Sequence, residues 1–571
     1  MTRTRSALFG LLTIAALAAT AGPALAPAAA AEAPTGNRIE TPVSTNSPVT
    51  GVTESEVSVY LPLPASAGPH PAACDWLSYL RYRAADGPTR SADADRILVA
   101  QPGILEGAGA FDSVARDTIT AADELGRHLE FWALDRRSNC LEDPTGRQAA
   151  LAAKNSQVAI DYYYHGTSVD GRTFAGYADN SQLGWLGRVG MEQTVRDEYD
   201  LLAEELPSQP LRKQKVLCGG HSLGGIITGF FAEWDFDGNP ATTDDAGYQQ
   251  CGGYFALDTT ISTSMSSLSG MPTMSDLLPD PGIGYAATQA ALDAGLVPRS
   301  IQLPVLLNAE TMNVLGIAGV AADVDPAGLS SLAAALPDNA NLDFTLRFLF
   351  SRELTNFVTG SPAAKDFRLS NDAALGALLD NNSEPLAFLQ SAAGFFTGGP
   401  VGAKDFPVPH DLTQVPELAT LKELLGPDPK AIPTEPNGPE YGWANYDQVS
   451  SGEFTDPSRE VTDIGELARS LAEQPLDFTE EYFPTKLVTD IYQAGSPQIQ
   501  SHLLYPNGIS ANPVINLLGG SGLVVGNGVP PGRTVIAPGY HHLDVLTAAP
   551  VQNTGAADPI SANLADFATG H

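Results

Sequence analysis

A doubly wound α/β fold with a mostly parallel sheet is predicted by three features of the sequence. Continuous apolar runs of strand length recur at Arg96 to Gln101 (RILVAQ), Leu129 to Leu134 (LEFWAL), Gln214 to Gly219 and Gly253 to Leu257 (GYFAL), as expected of strands covered on both faces. Segments of helical period lie between them, the strand-helix-strand alternation of a parallel sheet. The alternation lapses after about Thr259 and resumes near residue 500, which marks one sheet interrupted by a large, mainly helical insertion.

The elements follow in order. Arg3 and Arg5 precede an apolar run, Ala7 to Ala21, and a small-residue stretch, Pro23 to Ala33. This is the pattern of a cleavable secretory signal, assigned to residues 1–31, with an apolar run too short to span a bilayer. Residues 32–54 are rich in Pro, Thr, Ser and Asn without periodicity and are read as a flexible leader. The first part of the core, 55–258, opens with the alternation of Val57, Val59 and Leu61. Ala110 to Leu125 forms a crossover helix, and a second helix carries Val195, Tyr199, Leu202 and Leu206 on one face until Pro207 stops it. Gly224 to Trp234 is the helix after the third apolar run. The insertion, 259–500, holds short helical stretches at Pro416 to Leu425, Ile464 to Ala472 and Thr485 to Ala494. The last part, 501–571, returns to strands at Pro513 to Leu518 (PVINLL) and Arg533 to Ala537 (RTVIA), then a helix started by Asp558-Pro559.

Composition narrows the function classes. With 571 residues, 43% hydrophobic and 17% charged, the chain is globular in composition. Its 66 acidic residues against 31 Lys and Arg give a formal charge of −35, which repels phosphate backbones and excludes nucleic acid as a default partner. The later apolar runs are broken by Gly, Pro or charge, so no stable membrane anchor is expected, and oligomeric state is left open. Cys74, Cys140, Cys218 and Cys251 suit two disulfides in an oxidising compartment, with three pairings possible and none with the spacing of a zinc site.

The chemistry centres on Gly220-His221-Ser222-Leu223-Gly224, a G-x-S-x-G match lying between an apolar strand and an apolar helix. A sharp turn there needs residues without Cβ crowding and lifts the serine hydroxyl to where a base can reach it. GHSLGG, Gly220 to Gly225, resembles the nucleophile elbow of the α/β-hydrolase superfamily in its secreted serine esterase and lipase branch. The resemblance covers the core and leaves out the middle of the chain. It implies an oxyanion hole from the backbone N–H of Leu223 and of Ile104, in Gln101-Pro102-Gly103-Ile104, with Leu105 as the alternative second donor. It also implies a base after the last strand. Gly539-Tyr540-His541-His542-Leu543-Asp544 fits, and its His-Leu-Asp form selects His542, with His541 a neighbour; His502 precedes the last two strands and fits less well.

The acid usually follows the strand before the one leading to the histidine, but here that strand runs into Gly519-Gly520-Ser521-Gly522-Leu523, which has no carboxylate. One strand earlier, Ala256-Leu257-Asp258 resembles the acid position of pancreatic-type lipases, so Asp258 is chosen, to hold the imidazole tautomer and stabilise its charged form. Glu310 is the runner-up if Pro304 to Leu307 is a core strand. Asp235, Asp237, Asn239, Asp244 and Asp245 form an oxygen-rich cluster, but Gly238 falls two positions too early for an EF-hand and no Glu closes the loop. They are read as a solvated turn, with no metal and no cofactor.

The expected function is therefore a secreted serine hydrolase cleaving small-molecule or lipid-like carboxylic esters. The insertion, with apolar stretches such as Leu346 to Phe350 and Ala392 to Thr397, would form a lid or acyl pocket, or alternatively a core of its own. A peptidase or acyltransferase on the same scaffold is the alternative within enzymes, and a non-catalytic binding module on a decayed scaffold is the alternative outside them.

Overall fold

The computed structural model describes residues 36–269, 282–302, 307–415, 423–528 and 530–570. The expected signal segment, nearly all of Pro304 to Leu307 and most of Pro416 to Leu425 lie outside them.

Nine strands build the main sheet: β1 (Arg38–Pro42), β2 (Val52–Tyr60), β3 (Trp76–Ala84), β4 (Arg96–Gln101), β5 (Leu129–Leu134), β6 (Val216–His221), β7 (Gly253–Leu257), β13 (Val514–Gly519) and β14 (Arg533–Ala537). Their spatial order is β1-β2-β3-β5-β4-β6-β7-β13-β14. From β5 to β14 all neighbours are parallel, and the antiparallel β1, β2 and β3 extend one edge. The crossover helices are α1 (Asp112–Glu124), α2 (Met191–Glu205) and α3 (Leu223–Glu233), and α6 (Pro559–Gly570) ends the chain. Strands β4, β5, β6 and β7 are buried nearly throughout, because helices cover both faces of the sheet. Asp558 caps α6 by accepting from Ile560 N (3.1 Å) and Ser561 N (2.7 Å).

Three expectations need correction. Arg38–Pro42, inside the segment read as a flexible leader, is edge strand β1, held by the β2 ladder and by Arg38 on Glu205 at 2.8 Å. β2 likewise starts at Val52, within that segment. Strand β3 carries no strand signal in the sequence because Arg81 and Arg83 break its apolar pattern; Arg81 is nonetheless buried, its charge met by Glu130 at 2.5 Å and by Glu40 at 3.0 Å.

Between β7 and β13 the chain leaves the sheet. This insertion is mainly helical, including α4 (Ala309–Val324) and α5 (Ile464–Ala472), which pack together in the main core. It also holds strands absent from the sequence reading: a three-stranded sheet of β8 (Arg368–Leu369), β12 (Glu440–Asn445) and β9 (Gly394–Thr397), and a pair, β10 (Val401–Ala403) with β11 (Ala431–Pro433). These strands have two to six residues, too short for a period-2 pattern to stand out. Phe350 and Phe396 belong to a small cluster on this sheet, whereas Phe348 joins the larger core under the parallel strands.

The disulfides pair Cys74 with Cys140 and Cys218 with Cys251. Cys218 lies in β6 and Cys251 just before β7, so the second bridge ties two adjacent strands. Among the described residues no helix is long and apolar enough to cross a membrane.

Candidate active site

The site forms at the C-terminal ends of β6 and β7, in the middle of the sheet. β6 runs two residues beyond the expected end, through Gly220 and His221, and α3 starts at Leu223. Ser222 between them has φ 52° and ψ −120°, a left-handed backbone that only strong surrounding constraints hold at a non-glycine residue. A Cβ at Gly220 or Gly224 would run into the Gln101 carbonyl of β4, so the turn can be this tight only with glycine at both positions. Leu223 is the first residue of α3, and its N–H is one of those a helix leaves without an intrahelical acceptor.

His542 lies on the loop after β14. Its Nδ1–H donates to Asp258 Oδ2 at 2.6 Å, across 284 residues of sequence. Asp258 directly follows β7, is fully buried and also accepts from Gly519 N (3.1 Å) and Leu523 N (2.9 Å). The end of β13 and the loop after it thus have no acid of their own but contribute one N–H donor each to the carboxylate that follows β7. Glu310 lies elsewhere, in the first turn of α4, accepting from Asn339 Nδ2 (2.9 Å) and Asn341 Nδ2 (2.6 Å). His502 stacks on Trp234 at a centroid distance of 4.6 Å.

His221 brings the elbow and the imidazole together. Its ring lies 4.3 Å from that of His542, and its Nε2–H donates to the His542 carbonyl at 3.0 Å. Its Nδ1 faces both oxygens of Glu106 at 3.0 and 3.1 Å. Glu106 also accepts from Gly103 N, and Arg136 donates to the Gly103 and Glu106 carbonyls. The carbonyl and the carboxylate both accept, so His221 is held as an imidazolium paired with Glu106. Burial opposes both charges, but the pairing wins, raising His221 and lowering Glu106. Burial and the His221 charge lower His542 against the pull of Asp258. Glu106 was not singled out in the sequence: it lies 115 residues from His221 and matches no motif.

His541 points away from His542. Its Nε2 lies 2.5 Å from Asp428 Oδ2 of the insertion, and its Nδ1 is 3.2 Å from Asp544 Oδ2, which also accepts its backbone N–H at 2.6 Å. The other Asp544 oxygen accepts from Ala392 N (2.8 Å) and Thr462 Oγ1 (2.7 Å), both in the insertion. The aspartate of the His-Leu-Asp motif is therefore a clamp on the insertion.

The site is enclosed. Ser222 and His542 are each 2% exposed, and the Ser222 hydroxyl has no hydrogen-bond partner among the described residues. Ile104, Leu105 and Leu223 belong to one apolar cluster with Phe348, Leu386, Phe388 and Phe406 of the insertion. Leu105, at φ 60°, takes the left-handed backbone in the loop expected to supply the second oxyanion donor.

No family model and no curated protein matches the chain. Among solved structures it is similar to a peroxisomal α/β-hydrolase from Saccharomyces cerevisiae, at 10% identity and TM-score 0.30 over 91% of this chain and 87% of that one. It is similar also to an epoxide hydrolase from Vigna radiata, at 10% identity and TM-score 0.29 over 94% and 100%. A third is a soluble variant of monoglyceride lipase from Saccharomyces cerevisiae in complex with a substrate analogue, at 10% identity and TM-score 0.27 over 86% and 90%. Likeness at this level carries no functional argument; the α/β-hydrolase architecture rests on this chain's own mostly parallel sheet and on the strand-elbow-helix turn at Ser222.

Proposed function

We propose that the protein is a secreted serine hydrolase acting on carboxylic esters with an apolar acyl group. The observation that carries this reading is the hydrogen bond from His542 Nδ1 to the buried Asp258 carboxylate, in a fold that also holds Ser222 in an elbow turn. Donation from Nδ1 leaves Nε2 as the basic nitrogen. In the proposed reaction Nε2 takes the Ser222 proton as Oγ attacks the acyl carbon, and Asp258 stabilises the resulting imidazolium. The N–H of Leu223 and that of Ile104 or Leu105 receive the oxyanion. His542 then returns the proton to the leaving alcohol, and water releases the acyl group from Ser222 by the same steps. Glu106 and His221 act as positioning residues, fixing the loop of Gly103 and the His542 backbone.

The apolar cluster of Ile104 and Leu223 with Phe348, Leu386 and Phe388 supports an apolar acyl group and a site that the insertion must uncover for substrate to enter. Two disulfides are consistent with export to an oxidising compartment. The direct test is intact-protein mass after exposure to a fluorophosphonate, followed by an ester series of increasing acyl length. One adduct on the wild type and none on Ser222→Ala is expected, with turnover favouring longer acyl chains. A folded wild type that takes up no probe and turns over no ester would put the non-catalytic reading first.

A further inference from the structure

The loop after α3 is exposed over most of its length, as a solvated turn would be, but its first carboxylate is not. Asp235 is 1% exposed, although it begins a segment with four more carboxylate and amide side chains. One of its oxygens, Oδ1, accepts from Asp237 N (3.1 Å) and Gly238 N (2.7 Å), which shapes the turn. The other, Oδ2, is buried and has no hydrogen-bond partner among the described residues. Asp245 repeats the arrangement: Oδ2 accepts from Phe236 N at 3.1 Å, while Oδ1 is buried without a partner. Asp237 completes the group, and each of the three carboxylates brings an oxygen to within 4.8 Å of the others.

Leaving buried carboxylate oxygens unmatched is costly, and three carboxylates this close repel one another. Among the described residues none of the three makes an ion pair that would relieve them. Arg196 is turned to the Phe236 carbonyl (2.8 Å) and the Phe236 ring. An irregular loop of carboxylates completed by water suits Ca²⁺, whose flexible shell takes about 6–8 oxygens, better than Mg²⁺, which demands near-ideal octahedral geometry.

We propose that Asp235, Asp237 and Asp245 bind a calcium ion, with water completing its shell. The spacing is not that of an EF-hand, since the third carboxylate arrives eight residues after the second. The ion would act structurally. Asp235 N donates to the His502 carbonyl (2.8 Å), Trp234 stacks on His502, and Tyr505 OH donates to the Thr242 carbonyl (2.6 Å). A cation in this loop therefore pins the end of α3 to the segment on which the chain returns from the insertion to the sheet.

The test uses the full mature protein, stripped with EDTA and titrated with CaCl₂ alone, followed by calorimetry and by the thermal unfolding midpoint. Expected are about one calcium per chain and a midpoint that rises with calcium and less with equal MgCl₂. Asp237→Asn and Asp245→Asn should each weaken binding more than about tenfold while leaving the calcium-free midpoint near wild type. Terbium supplies a second readout: emission sensitised through Trp234 or Tyr505, displaced by calcium and lost in the double variant. No heat and no midpoint shift in folded wild type would overturn the site. An undiminished response in the double variant would place the ion elsewhere and overturn it equally, and an equal response to magnesium would overturn the choice of calcium.

Discussion

His541 and His542 are consecutive and equally enclosed, yet their surroundings pull their protons in opposite directions. His541 lies between Asp428 and Asp544; burial opposes its charge, but the two carboxylates outweigh it and raise its pKa from 6.5 to about 9. His542 has one carboxylate, Asp258, and faces the His221 cation, so burial and that charge prevail and its pKa falls. Burial alone therefore does not decide the protonation state; the number and sign of the contacting charges do. It also divides the labour, since a charged histidine can tie the insertion to the loop while only a neutral one can serve as a base.

The largest effect is expected at the proposed nucleophile. Ser222→Ala should lower ester turnover by about 10⁶ without changing the unfolding curve. Asp258→Asn should follow, at about 10⁴, because an amide in place of the carboxylate no longer enforces the Nδ1–H tautomer. Glu310→Gln should stay near wild type, since its partners are Asn339 and Asn341. The reverse result in steady-state kinetics would remove Asp258 from the proposed triad.

On the His541 side the readout is stability. Asp428→Asn leaves His541 and Arg459 each short of a carboxylate, and urea unfolding should show a loss of about 3–5 kcal/mol. Because the folded-state pKa of His541 is raised, its stabilising contribution is complete below the ordinary value of 6.5 and is lost as pH rises through about 9. Unfolding midpoints should therefore fall across that window in wild type and fall less in His541→Gln. The smallest effect sharpens the other half: His221→Gln removes the cation beside His542, so the acid limb of kcat/KM should move to higher pH. An acid limb that stays in place would leave His221 with a purely structural role.

Much of the framework was legible locally. Strands β4, β5 and β7 match the apolar runs expected, because strands covered on both faces read as continuous apolar segments, and β14 and helix α5 also fall on the expected residues. The insertion's short strands and β3 were not legible: the former have too few residues to show a period, and the latter carries a buried Arg81 whose charge is met by Glu130 of β5 and Glu40 of β1.

Local sequence signals specify the sheet's principal strands, the glycine-flanked serine between a strand and a helix, and the paired histidines after the last strand. Which carboxylate meets which imidazole, which cysteines join, that Glu106 reaches His221 and that Asp235 turns inward were decided only by tertiary structure. The physical reason is range. Turn and periodicity signals act over a few residues, whereas Asp258 meets His542 across 284 residues because the sheet order sets β7 beside β13 and β13 beside β14.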